Sequence, residues 1–171
     1  MGMESFNIMA LADEVYITRK NQYRYINGNS NIHYENFKLE LDQLSNITRN
    51  DFKWVLDNCI EIIGYDSNGF FQGIELRGCF AYLDEGIDLC FQFINSISKK
   101  IVPLKIYILN QEVKAENAKQ LNEFIRSMYN DKITIFQKQY GHVQFKVTCD
   151  EFYKEIKKRN KWYYKILHSN K

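Results

Sequence analysis

The chain has 171 residues, 45% of them hydrophobic and 15% aromatic, and a formal net charge of +2. That length suits one domain, spanning residues 3–171, that buries roughly two thirds of its unfolded surface, and so much aromatic content excludes a disordered chain. No run approaches the roughly 18 apolar residues needed to cross a bilayer, and the opening residues do not read as a leader, so no membrane partner is expected and the compartment is expected to be cytoplasmic.

The chain begins with Phe6, Met9 and Ala10 at helical spacing, which predicts a weak amphipathic helix over Glu4 to Glu14. Val15 to Thr18 and Tyr23 to Ile26 read as strands. The Asn27-Gly28 pair after them is a hairpin-turn signal within an asparagine-rich surface loop. Phe37, Leu39 and Leu41 alternate with Lys38, Glu40 and Asp42, the pattern of a half-buried strand. Thr48 to Ile63 is predicted as a helix, because Phe52, Val55, Leu56, Cys59, Ile60 and Ile63 recur at three and four residue intervals before Gly64.

Tyr65 to Gly69 is turn chemistry, and Phe70 to Leu76 a strand leading into the next element, with Gly73 within it and Gly78 just after it allowing a bulge or close backbone approach. Residues 78–94 are predicted as a long β-hairpin, the ribbon around which the rest packs. Phe80, Tyr82, Leu89, Phe91 and Phe93 stand at strand spacing on its arms, and Asp84, Glu85 and Gly86 form an acidic tip. Such a ribbon would allow Cys79 and Cys90 to approach each other, but their apolar neighbours favour reduced thiols. The four cysteines, Cys59, Cys79, Cys90 and Cys149, include no CxxC pair, so reduced core thiols are expected rather than a zinc site.

Leu104 to Leu109 is a strong strand and Ala115 to Tyr129 a helix, with Arg126 on its outer face. Ile133 to Gln137 and Val143 to Thr148 read as further strands, the first parallel to Leu104 to Leu109 through a right-handed crossover. Thr148 and Glu151 make a capping box that opens a C-terminal helix over 149–167. The expected class is α+β, a mainly antiparallel sheet of about six to eight strands with helices on one face.

Charge is unevenly distributed along the chain. Glu35 to Asp88 holds eleven acidic and four basic residues, a net of −7, whereas Phe91 to Lys171 holds sixteen basic and seven acidic, a net of +9. An acidic half suits a cationic protein partner, such as a toxin or nuclease domain. The candidate contact residues are Asp66, Glu75, Tyr82, Asp84, Glu85 and Asp88, provided that folding brings them onto one face; charged tips are otherwise merely solvated. The competing surface is the C-terminal helix, where Lys154, Lys157, Lys158, Lys161 and Lys165 interleave with Trp162, a mixture suited to phosphates and bases of nucleic acid.

Catalytic motifs are missing: His33, His142 and His168 are isolated, and no HExxH, GxSxG or GxxxxGK occurs. Cys90, His142 and a carboxylate make a conceivable nucleophile set, of a kind that most chains of this size contain. No enzyme activity, cofactor, metal or small-molecule ligand is therefore expected. The single proline and the many Asn, Lys, Ile and Tyr residues match AT-rich coding of microbial, viral or mobile-element origin. These features favour an immunity- or antitoxin-type inhibitor, with a nucleic-acid-associated module as the alternative.

Overall fold

The computed structural model describes residues 5–156 and 158, apart from 21, 22, 29, 51 and 52. Among the described residues nine strands form a seven-stranded sheet, in the order β4-β5-β6-β7-β1-β8-β9, and a separate β2-β3 ribbon. The strands are β1 (Ser5–Ala12), β2 (Tyr16–Lys20), β3 (Tyr23–Asn27), β4 (Ile47–Asn50), β5 (Lys53–Leu56), β6 (Ile60–Ser67), β7 (Phe70–Cys79), β8 (Leu104–Ile108) and β9 (Gln111–Val113). The helices are α1 (Tyr34–Asp42), α2 (Leu83–Lys100), α3 (Ala118–Met128) and α4 (Asn130–Tyr140), followed by α5 over 149–156. The architecture is α+β, as the sequence predicts.

Several elements differ from their expected type, and each difference has a physical reason. Residues 5–14 are not helical: β1 lies inside the sheet, between β7 and β8, with apolar residues on both faces. Phe6, Ile8 and Ala10 belong to the main core, and Met9 and Leu11 to a second core under the β2-β3 ribbon. A strand covered on both sides loses its alternation and imitates other periods. Residues 37–42 form a helix rather than a strand, with Phe37 and Leu41 buried one turn apart and Leu39 left 59% exposed.

The described residues of 48–63 form strands β4, β5 and β6 and the turn between the last two, not a helix. A tight turn at Asp57 (φ 50°) and Asn58 (φ 58°) resets the alternation between β5 and β6, producing three- and four-residue intervals by coincidence. The turn after β6 is only Asn68 (φ 53°) and Gly69 (φ 81°), joining Ser67 to Phe70, so the strand runs through Asp66. Gly73 (φ 153°) stands beside the register shift at Tyr65/Asp66, and a Cβ on Gly78 would lie 2.3 Å from the Phe6 ring, so both glycines serve the close approach expected of them.

The predicted 78–94 hairpin is the largest correction. β7 ends at Cys79, a single 3-10 turn spans Phe80–Tyr82, and Leu83 opens an 18-residue helix. Leu83, Gly86, Ile87, Cys90, Phe93, Ile94 and Ile97 face the core at helical period, and Asp84 and Glu85 sit in the first turn, where carboxylates complement the helix dipole. Asp84, Glu85 and Gly86 are therefore not a turn.

β8 and α3 form as predicted, α3 capped by the Asn117 side chain accepting the Gln120 N–H at 3.0 Å. Residues 133–137 lie within α4, and 143–148 have no regular structure. β8 therefore has no parallel partner; it pairs antiparallel with β1 and β9. The capping box is present: Glu151 N–H donates to Thr148 Oγ1 at 3.2 Å, and Thr148 N–H donates to Glu151 Oε2 at 3.0 Å. Residues 157 and 159–167 of the expected C-terminal helix lie outside the described residues.

Candidate functional site

At the end of the sheet where β7 passes into α2, a cleft of about 230 Å³ opens between the start of α2, helices α3 and α4, and residues 141–144. Its floor is aromatic: the Phe80 ring packs edge-on to Phe136 and to Tyr129, each at 5.9 Å between centroids. Gly141 (φ 76°) ends α4 and turns the chain, so that His142, Val143 and Gln144 form one wall. The Phe145 N–H then donates to the Ala81 carbonyl at 2.8 Å, tying that wall to the 3-10 turn.

The polar rim comes from two helices. Leu121 and Ile125 are buried, which turns Asn122 and Arg126, one turn apart on α3, toward Asp84. Asn122 Nδ2 and Arg126 Nη2 donate to the same Asp84 oxygen, at 2.7 and 2.6 Å. Partial burial acts to raise the Asp84 carboxyl, but these two bonds and the guanidinium charge outweigh it and hold the group below its ordinary range. Its charge is thus answered within the chain. Glu85 and Asp88, exposed on the same side of α2, make no ion pair or hydrogen bond among the described residues.

The acidic candidates fall into three places. Tyr82, Asp84, Glu85 and Asp88 are together at the start of α2, with Tyr82 half-buried and its phenol pushed up chiefly by burial. Asp66 is at the opposite end of the ten-residue strand β7, roughly 30 Å away, where its carboxylate accepts the Gly69 N–H at 3.4 Å. Glu75 is in mid-sheet on the other face, buried and accepting from Asn7 Nδ2 at 2.7 Å and from the Tyr65 hydroxyl.

Much of the acidic excess is answered by the basic half: Lys100 meets Glu40 at 2.9 Å, Arg126 meets Asp84, and Lys146 meets Asp57 at 2.5 Å. The charge blocks of the sequence are in part each other's partners.

Of the basic candidates, Lys154 is exposed and Lys158 bonds Glu155 at 2.7 Å, while Lys157, Lys161, Trp162 and Lys165 lie outside the described residues. Phe152 turns inward against Phe136 and Tyr140.

A second polar cluster lies on the sheet face opposite α2. Glu61, 1% exposed, meets Lys53 at 2.7 Å and Arg77 at 3.4 Å, and both cations also reach Asp150 at the start of α5, at 2.7 and 3.9 Å. Two carboxylates answer two cations there, an arrangement that fastens α5 to the sheet.

The cleft places Asp84, Glu85, Arg126 and His142 among apolar and aromatic residues. Its lining contains no Ser, Thr, Cys or Lys, and Cys90 faces the core, away from the wall that carries His142. Among the described residues no three His, Cys, Asp or Glu side chains are grouped to hold a metal ion, and no helix is long and apolar enough to cross a membrane. What the rim offers is carboxylate beside an aromatic floor, which complements a cationic side chain with an apolar stem.

The sequence reading missed Arg126, Asn122, Phe136 and the 141–144 wall. Arg126 is 42 positions from Asp84, and no local pattern joins them. Comparison of the chain with protein-family models, with curated proteins and with solved structures finds no significant match.

Proposed function

We propose that this chain is a non-enzymatic binding protein, an inhibitor of the immunity or antitoxin type, which engages a basic protein partner at the start of α2. The observation that carries this reading is the pair Glu85 and Asp88, exposed and without ion pairs among the described residues, beside a cleft floored by Phe80 and Phe136. An arginine or lysine of the partner enters the cleft, its stem on the rings and its charge toward Glu85. Carboxylates on the rim speed association, and contacts on the ring floor slow dissociation. Four buried cysteines with no disulfide among the described residues are in keeping with action in the cytoplasm.

The test is affinity purification from the native host with the unaltered chain and with a Glu85→Lys/Asp88→Lys variant, at low and high salt. The expected result is one basic protein, retained by the unaltered chain and bound at least tenfold more weakly by the variant, chiefly through slower association. Recovery of nucleic acid alone, or equal retention of the protein by both chains, overturns the reading.

A further inference from the structure

We propose that Cys79 and Cys149 are a disulfide-forming pair whose oxidation staples α5 to the end of β7. The topology brings them together. Arg77 and Cys79 are two apart on β7 and share the sheet face away from α2, and Asp150, next to Cys149, reaches Arg77 at 3.9 Å. Cys79 and Cys149 belong to the same buried core cluster, each 1% exposed, and the Cys149 thiol has the Cys79 side chain as its hydrogen-bond partner. Cys59, by contrast, directs its thiol to the Leu56 carbonyl at 3.7 Å, and Cys90 is enclosed on α2.

The pair does not react while closed. The hydrogen bond to Cys79, together with burial, pushes the Cys149 thiol far up, so the nucleophilic thiolate is scarce. Reaction passes through opening of the irregular segment 141–148, which the Phe145 to Ala81 backbone bond ties down.

Once open, one cysteine thiolate attacks oxidised glutathione and expels one glutathione thiolate, leaving a mixed disulfide. The second cysteine thiolate attacks the protein sulfur of that bond and expels the other glutathione. Two protein thiols and one glutathione disulfide become one protein disulfide and two glutathione thiols. The product closes a loop of about 70 residues and fixes the segment that forms one wall of the α2 cleft. This inference is independent of the partner proposed above.

The experiment incubates the full chain with oxidised glutathione in water and in sub-denaturing urea, blocks free thiols, and maps disulfide-linked peptides by mass spectrometry without reduction. A Cys79–Cys149 cross-link is expected, formed faster in urea, with Tm raised by about 5–10 °C. The rise should vanish in Cys149→Ala. A Cys59–Cys90 link, a mixed disulfide that persists without cross-linking, or four free thiols after prolonged oxidation in urea each overturns the proposal. Mapping uses the unaltered chain, so it decides the matter even where the variant does not fold.

Discussion

The Tyr129 hydroxyl lies 3.2 Å from the Asn7 backbone nitrogen and 3.4 Å from its carbonyl oxygen, accepting from the one and donating to the other. Asn7 stands two residues before Met9, the first β1 residue of the antiparallel β1-β8 ladder, so the phenol continues the ladder where the neighbouring strand has already ended. Burial pushes this phenol's pKa up. Tyr129→Phe keeps the ring contacts and removes the hydroxyl, and is expected to cost about 1–2 kcal/mol, read as a lower urea midpoint at unchanged slope.

The Lys53–Asp150 contact makes stability depend on acid. The Lys53 hydrogen bond holds the Asp150 carboxyl below its ordinary range, with smaller help from the charges of Lys53, Arg77 and Lys154. A depressed carboxylate adds stability above its unfolded pKa of about 4 and loses it as pH falls through the lower folded value. Asp150 is half exposed, so solvent screening limits the effect to about 0.5–1 kcal/mol. Urea midpoints from pH 6 down to pH 2 should therefore fall less steeply below pH 4 in Asp150→Asn than in the unaltered chain. Parallel curves would refute this assignment.

The β8-β9 turn is strained. Leu109 (φ 49°) and Asn110 (φ 68°) join Ile108 to Gln111, and a leucine in the left-handed region is unfavourable by about 1 kcal/mol, with 45% of its side chain still exposed. Leu109→Asn is expected to raise stability by about 0.5–1 kcal/mol. A thermal melt of the two chains side by side decides it.

Gly78 lies beneath the first aromatic ring of β1. A Cβ there would be 2.3 Å from Phe6 Cζ and 3.0 Å from Ile60 Cδ1, among fully buried neighbours that have no room to retreat. Gly78→Ala should destabilise by about 2–3 kcal/mol, and Phe6→Leu in the same chain should restore part of the loss.

What the sequence discloses depends on whether a signal is local. β8, α3 and the Thr148/Glu151 capping box were legible because propensity, period and cap all lie within a dozen residues. β1 and α2 were not. β1 is buried on both faces, and Phe91 and Phe93 of α2 stand two apart, a strand interval, among core residues at helix intervals, so tertiary packing decides between them. At the candidate site, the carboxylates of α2 were named from sequence, though on a different element. Which of them stay unpaired depends on Arg126 and Asn122, whose approach only the fold creates.

The place of β1 in the sheet governs how the chain must fold. Ser5 pairs with Cys79 and Met9 with Tyr107, partners 74 and 98 positions later. At translation speeds of about 5–20 residues per second, β1 leaves the ribosome roughly 5–20 s before β8 does. The β4-β5, β5-β6 and β6-β7 hairpins can zip up as they emerge, whereas β1, with its residues from Ile8 to Ala12 all destined for burial, waits without a template. High contact order of this kind slows folding and prolongs the exposure of an aggregation-prone segment. Yield from a cell therefore depends on chaperone capacity during synthesis as well as on the stability of the finished molecule.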